Sequence, residues 1–473
     1  MPIGTESTPL RVAIIGSGPS AFYAAEALQK QSDLVVEIDM FERLPTPFGL
    51  VRGGVAPDHA KIKSVTRVYD RIATRPNFRF YGNVTFGRDV TRADLVQHYH
   101  AILYAVGAQT DRHLGIPGEN LPGNHAATEF VGWYNAHPDF CDRRFDLSHE
   151  RIAVIGNGNV AMDVVRILAR STEELYETDI ADHALEALKH SGIKEIVVLG
   201  RRGPAQASFT NPELKELGEL SEAEVIVPPD EIELDPLSRA YLLENTDRTA
   251  SRNVEILSQF ASLPPQGKPK KIIMRFLVSP VEIIGTDRVE ALKIVKNELY
   301  RRADGTLRPH ATEQYETIPV GLIFRSIGYH GVELPNVPFD QRTGTIPNDH
   351  GRVLNSERRP IPGEYVAGWI KRGPTGIIGT NKPDAQETVG LLLADAASGQ
   401  VLHPARPDRQ ALEDLLSARQ VNYVTYADWQ IIEQLEQMRG QAVGRPCLKF
   451  SHVAEMLAAL EAHKQATAME PRG

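Results

Sequence analysis

Two apolar runs of this chain end in the same kind of glycine turn, and that repetition restricts the fold more than any other feature. The first is Val12-Ala13-Ile14-Ile15-Gly16-Ser17-Gly18-Pro19-Ser20-Ala21. The second is Ile152-Ala153-Val154-Ile155-Gly156-Asn157-Gly158-Asn159-Val160-Ala161. Both read as a buried strand, a G-x-G-x-x-A turn and the start of a helix. The first glycine permits the tight turn, the second lets backbone approach a pyrophosphate, and the small third residue lets helix and strand pack closely. The opening N–H groups of the helix then form an anion site. One such motif alone is weak. Two copies, each between a strand and a helix, meet the context the motif requires.

The bulk properties narrow the class. A chain of 473 residues exceeds a single compact core, so two or three domains are expected. A net charge of −9 argues against general nucleic-acid binding. No apolar run approaches the ~20 residues needed to cross a bilayer, so membrane insertion is not expected. The stretch Met1-Pro2-Ile3-Gly4-Thr5-Glu6-Ser7 has no basic region followed by an apolar one, and the expected location is cytoplasmic. Cys141 and Cys447 are the 2 cysteines. They form neither a C-x-x-C pair nor a four-cysteine cluster, and both are expected to be reduced thiols with no metal site. A redox chain of this kind has no internal disulfide or cluster to receive electrons, which must therefore leave for a separate partner.

Along the chain, strands are expected at Leu34–Phe41, Phe78–Tyr81, Val84–Phe86 and Ala101–Val106, with helices after Gly18 and over Ala60–Thr74. The segment Arg43–His59 reads as a loop, since its prolines and glycines suit neither helix nor strand interiors. Residues 108–125 read as a connection. The second unit follows, with a helical excursion over 171–192, strands at Glu195–Leu199 and Val320–Phe324, a helix-and-loop stretch at 230–270 and strands over 271–298. A helix runs from about Asp384 to Ser398, and helical stretches recur near 407–419, 426–438 and 451–464. The expected class is α/β, with two Rossmann-like dinucleotide-binding domains, one inserted into the other, plus a helical C-terminal extension. The expected boundaries are 1–113 and 329–400 for the outer domain, 114–328 for the inserted one and 401–473 for the extension.

The charge after each turn assigns the nucleotides. Glu42 closes the second strand of the first unit, a little beyond the usual ~20-residue spacing. A carboxylate there binds ribose hydroxyls and repels a 2′-phosphate. The matching point of the second unit is Gly200-Arg201-Arg202-Gly203-Pro204, with no acid. Guanidinium forks pair with a phosphate and stack on an adenine face. FAD in the first site and NADP(H) in the second is the expected pairing, with the cofactors carrying the chemistry.

The sequence resembles the adrenodoxin reductase family of ferredoxin–NADP reductases from about residue 10 to 400. The resemblance rests on Gly16–Ala21, Leu44-Pro45-Thr46-Pro47-Phe48-Gly49-Leu50-Val51-Arg52 with Val55-Ala56-Pro57-Asp58-His59, and Phe130-Val131-Gly132-Trp133-Tyr134-Asn135. It continues through Gly156–Ala161 and Gly200–Pro204 to Gly368-Trp369-Ile370-Lys371-Arg372-Gly373-Pro374-Thr375-Gly376. It implies that Gly16, Gly18, Ser20 and Ala21 meet the FAD pyrophosphate and that Glu42 holds its ribose. Leu50, Val84, Trp369, Gly376, Ile377 and Ile378 would contact the flavin. Arg112, Asn157, Gly158, Asn159, Val160, Arg201, Arg202 and Glu213 would contact NADP, and His59 and Glu216 would be catalytic residues near the nicotinamide. For His59 the other reading is a helix-start histidine with Asp58 as cap.

The expected activity is electron transfer from NADPH through FAD to a ferredoxin-type iron–sulfur protein. Candidate docking clusters are Arg143-Arg144, Lys268 with Lys270-Lys271, Arg301-Arg302 and Lys371-Arg372. Two other classes remain: an electron-input subunit resembling the glutamate synthase small subunit, and a nucleotide-sensing flavoprotein without catalysis. The first usually carries a cysteine-rich segment; the intact acid, arginine pair and Trp369 segment weigh against the second.

Overall fold

The computed structural model describes residues 3–244 and 248–469. By internal contacts it divides into two units. One comprises the chain up to Val55, His59–Thr110 and the chain from Tyr329 onward; the other comprises Ala56–Asp58 and Asp111–Gly328.

The first unit is built on a seven-stranded sheet. In spatial order its strands are Asn348–Asp349, Arg352–Leu354, Pro360–Val366, Ala101–Tyr104, Leu10–Ile15, Val36–Phe41 and Phe78–Tyr81. The last five run parallel, and the first two form an antiparallel edge. Leu10–Ile15 is buried at every position, as a strand covered on both faces must be. Val12 and Ile14 join one core while Ala13 and Ile15 join the other, the period-two alternation of a strand.

The second unit repeats the plan. Asn124–Ala126, Leu322–Arg325, Arg151–Ile155, Glu195–Leu199, Lys270–Arg275 and Ala223–Ile226 form an all-parallel sheet in that order. Ile152 and Val154 face one core, Ala153 and Ile155 the other. A separate antiparallel sheet joins Val278–Ile284, Ala291–Arg301 and Leu307–Pro319.

Several local expectations change. Val84–Phe86 is not a strand; it leads into a turn closed by the Gly87 amide on the Val90 carbonyl at 2.8 Å. The helix expected over Ala60–Thr74 breaks into Ala60–Lys63 and Thr66–Ala73. The excursion over 171–192 is two helices, Thr172–Tyr176 and Asp182–Lys189, the first opened by a Ser171/Glu174 capping box. Inside the presumed connection, Asn124–Ala126 is the edge strand of the second sheet. Leu307–Pro319 carries no strand signal in the sequence because it is mostly exposed and polar on both faces, which removes the alternation that marks a half-buried strand.

Residues beyond 400 form the helices Arg409–Ala418, Tyr426–Gln441 and Val453–Met469. Leu412 and Leu416 enter the core of Ala13 and Ile15, and Trp429, Ile432, Met456 and Leu460 enter that of Val12 and Ile14. Arg419 adds a two-pronged ion pair to Asp94, at 2.7 and 3.0 Å, and Asp94 also caps the Arg92–His98 helix with Thr91. Burial opposes the charged form of Asp94, but Arg419 and Thr91 outweigh it and hold its carboxyl at about 2. A depressed carboxyl adds stability above its unfolded value of ~3.9 and loses it as pH falls through the folded value. The urea midpoint is therefore expected to fall between about pH 4 and 2, and Asp94→Asn to flatten that stretch of the profile. No helix among the described residues is long and apolar enough to cross a membrane.

Candidate functional site

The two glycine turns have closely matching geometry. Gly16 (φ +99°) and Gly156 (φ +125°) both occupy the left-handed region. A Cβ on Gly16 would stand 2.6 Å from the Ala105 carbonyl oxygen, and one on Gly156 would overlap that of Ser326. In each case the blocking carbonyl follows the neighbouring parallel strand, so the chain leaves the sheet where only glycine fits. Gly18 and Gly158 differ from them: a Cβ on either would meet nothing within 4 Å. Each caps the following helix, Pro19–Gln29 or Asn159–Ala169, with no side-chain hydrogen bond. Helices elsewhere are closed by Thr91, Ser171 and Thr425. Both helix N-termini are thus left without a side-chain cap, which suits a phosphate. Ala21 and Ala161 are fully buried, as the third motif position requires.

The residues that follow separate the two turns. Glu42 accepts a hydrogen bond from Ser17 Oγ at 2.7 Å and another from the Leu44 amide at 3.2 Å. Its carboxylate is thereby fixed at the strand end while the side chain stays half-buried. In the second unit Arg201 is exposed and Arg202 half-buried, 3.4 Å from Ser208 Oγ. Burial and the positive charges of Arg201 and Arg308 push the Arg202 pKa down. A cluster of cations that repel one another favours an anion of high charge. The loop is held by Asn297, which sits beside a bulge, donates Nδ2 to the Arg201 carbonyl at 2.9 Å and is itself 2% exposed. Arg308, on the polar Leu307–Pro319 strand, had no signal in the sequence.

Asn157 occupies the place in the second turn that Ser17 has in the first. Its Nδ2 is buried with no partner. A Cβ on Gly200 would stand 2.6 Å from that atom, so the glycine before the arginine pair makes room for it. An orphaned buried donor beside an uncapped helix fits a bound phosphate-bearing group. The Asn159 side chain accepts from the Thr210 amide at 2.8 Å.

The chain is 48% identical over 95% of its length to an NADPH-ferredoxin reductase of Mycobacterium tuberculosis, 98% of which is covered. The chain belongs to the adrenodoxin reductase family of ferredoxin–NADP reductases. A mitochondrial NADPH:adrenodoxin oxidoreductase of Arabidopsis thaliana is 38% identical over 96% of this chain and 96% of its own. The solved structure of the M. tuberculosis protein FprA in complex with NADPH superposes with a TM-score of 0.90 at 47% identity, covering 96% of this chain and 99% of that one. A broader model, pyridine nucleotide-disulphide oxidoreductase, matches residues 10–197.

The family's motifs occupy definite places in each unit. In the first, the Pro/Gly loop lies against the glycine turn. The Phe48 amide donates to the Ser17 carbonyl at 3.0 Å, and a Cβ on Gly49 would stand 3.0 Å from Gly18 Cα. Phe48 itself takes φ +83°, a strained value for a bulky residue. Leu50 opens the short helix Leu50–Gly53. Val84 is 1% exposed, packed with Phe41 and Tyr81 in a core, and its amide donates to the Glu42 carbonyl at 2.9 Å. The Gly368–Gly376 segment returns to the same place: Gly368 (φ +81°) leaves only 2.5 Å between a Cβ and Ser20 Oγ. Trp369 donates Nε1 to the Thr375 carbonyl at 3.1 Å, its rings 5.3 Å from those of Tyr329. Gly376 also has φ +81°, and Ile377 and Ile378 lead into the Asn381–Ala397 helix, Ile377 left 60% exposed.

In the second unit the acids are tied to one cation. Arg166, fully buried, reaches Asp58 at 2.6 Å, Asp163 at 2.7 Å, Glu213 at 3.1 Å and Glu216 at 3.3 Å. Burial disfavours its charge, but these carboxylates outweigh burial and push its pKa up. Asp58 also pairs with Arg170 at 2.9 Å. The N-cap position of Ala60–Lys63 is His59, with no side-chain cap bond from it, one residue beyond the Asp58 expected there, and two arginines hold the Asp58 carboxylate. Arg112 is exposed, its amide bonded to the Gly328 carbonyl at 3.1 Å.

The basic clusters proposed for docking are partly engaged already. Arg143 pairs with Glu129 at 3.0 Å, Arg301 with Glu244 at 2.9 Å, and Lys371 with Glu387 at 2.6 Å. Lys268 donates to the Leu220 carbonyl at 2.6 Å, and Lys270 donates to the Leu168 carbonyl at 3.2 Å, at the end of the Asn159–Ala169 helix. Neither Cys141 nor Cys447 is in a disulfide.

Proposed function

We propose that this protein is an NADPH–ferredoxin reductase that holds FAD in its first unit and NADP(H) in its second. Electrons pass on to a separate ferredoxin-type iron–sulfur protein. The observation that carries this reading is the asymmetry between two matching turns: a fixed carboxylate after one, a self-repelling arginine cluster after the other. When bound, the cofactors supply hydride transfer between nicotinamide and flavin and then single-electron release.

The chain's own residues bind and orient. Gly16, Gly18, Ser20 and Ala21 form the turn and helix start that meet the FAD pyrophosphate, and Glu42 accepts from the ribose hydroxyls. Leu50, Val84, Trp369, Gly376, Ile377 and Ile378 shape the flavin pocket. Asn157, Gly158, Asn159 and Val160 receive the NADP pyrophosphate, Arg201 and Arg202 its 2′-phosphate, and Arg112 and Glu213 the rest of the nucleotide. His59 and Glu216 are assigned to proton handling or water ordering at the nicotinamide. The matching domain limits are 1–113 with 329–400 for FAD, 114–328 for NADP and 401–473 for the extension.

The test compares NADPH with NADH as donor to the purified flavoprotein, followed by turnover with a panel of ferredoxins. Fast flavin bleaching by NADPH, slow bleaching by NADH and turnover with at least one ferredoxin are expected. Equal use of the two nucleotides would overturn the arginine assignment, and flavin reduction with no ferredoxin turnover would favour the electron-input subunit.

A further inference from the structure

We propose that Glu436, in the C-terminal segment, is a positioning residue for the flavin pocket: it grips Arg52 and fixes the loop that carries Leu50. The inference rests on the reading that this loop lines the flavin.

The loop has little regular structure of its own. It includes Pro45 and Pro47, a strained Phe48 and a single helical turn, Leu50–Gly53. What holds its side chains comes from far along the sequence. Glu436 lies on the Tyr426–Gln441 helix and is 0% exposed. Arg52 Nη1 donates to Oε2 at 2.9 Å and Nη2 to Oε1 at 2.6 Å, a two-pronged fork. The Phe450 amide donates to Oε1 at 2.9 Å, and the Leu448 amide to the Glu436 carbonyl at 2.9 Å. The carboxylate is thus aimed from behind. The Arg52 guanidinium sits 4.9 Å from the centre of the Trp429 ring, and that ring meets Phe48 edge-on at 5.9 Å. Phe48 in turn bonds to the first glycine turn through Ser17. A continuous set of contacts therefore runs from Glu436 to the phosphate-binding turn.

A fully buried carboxylate is a poor choice for stability alone, because desolvation offsets its attraction to a cation. The neighbouring positions on the same face, Ile432 and Gly440, are apolar and buried, so an apolar residue at 436 would serve the core. What the ion pair adds is direction: a planar fork on a carboxylate admits one orientation of Arg52. The C-terminal segment thereby acts on a pocket it does not line.

The experiment uses the full chain with Glu436→Gln, which keeps size and hydrogen bonding but removes the charge. Two readouts are expected to move together. Amides of Val51, Arg52 and Gly53 exchange with deuterium about tenfold faster, and the apoprotein rebinds FAD about tenfold more weakly with a shifted flavin absorption band, while NADP affinity is unchanged. Unchanged exchange or unchanged FAD affinity and band overturns the proposal, since either shows that the clamp does not act on the pocket through the loop. Should Glu436→Gln fail to fold, the double variant Arg52→Met/Glu436→Met, which leaves no unpaired charge, is judged by the same two readouts. Leu50→Ala separates the premises: if it leaves FAD affinity and absorption unaltered, the loop is not at the flavin. If it alters them, the Glu436→Gln result judges the clamp alone.

Discussion

Replacing Arg201 and Arg202 together by alanine is expected to raise KM for NADPH by about 10²- to 10³-fold and to leave that for NADH nearly unchanged. A hydrogen bond to a charged group contributes about 1.5–3 kcal/mol, and each ~1.4 kcal/mol is tenfold. Two guanidinium contacts to a 2′-phosphate, at the low end of that range for side chains open to solvent, therefore account for about 3–4 kcal/mol of discrimination. The loss should be specific because the loop's backbone is held independently, by Asn297 on the Arg201 carbonyl and by the Leu277 amide on the Arg202 carbonyl at 3.1 Å. Steady-state kinetics with both nucleotides decide it. A parallel loss with NADH would mean that the arginines hold the loop rather than the phosphate. Arg308→Ala should give a smaller NADPH-specific loss, as a third cation close enough to depress Arg202.

Arg166→Met should cost the second unit about 3–5 kcal/mol, the usual penalty for breaking a buried ion pair from one side. That is a large share of a typical domain's stability. Asp58, Asp163, Glu213 and Glu216 would then lose the cation they share, while Asp58 keeps its pair with Arg170. Mutual repulsion would raise their folded pKa values above the unfolded ~3.9–4.3. A raised carboxyl is a penalty at pH values above it, relieved as pH falls. The variant's deficit in urea midpoint should therefore shrink from pH 8 to pH 5. A deficit that is constant or grows on acidification would show that the acids do not share this cation. FAD binding, which we propose for the other unit, should persist throughout.

The two halves of the molecule were legible for a physical reason. Parallel strands covered on both faces read as unbroken apolar runs, and a glycine turn at the end of such a run has few other uses. Gly16 and Gly156 confirm that logic, each pinned by a neighbouring carbonyl. Elements with weak periodicity were not legible. Leu307–Pro319 is polar on both faces, Val84–Phe86 is an apolar turn approach, and the helix over Ala60–Thr74 breaks at Ser64-Val65, where no proline or glycine marks the interruption. Asp58 looked like a local cap because capping is a rule of near neighbours, whereas its partners Arg166 and Arg170 lie more than a hundred residues away.

The sequence by itself determined the fold class, the family and the sign of charge after each turn, because strand period, turn geometry and nearby charge are local quantities. Tertiary structure alone decided which charges are free to meet a ligand. It left Arg201 exposed, surrounded Arg166 with four carboxylates, engaged part of each basic cluster and brought Glu436 to Arg52. Such pairings depend on distance in space, and the desolvation that makes a buried charge seek its partner exists only once the chain has folded.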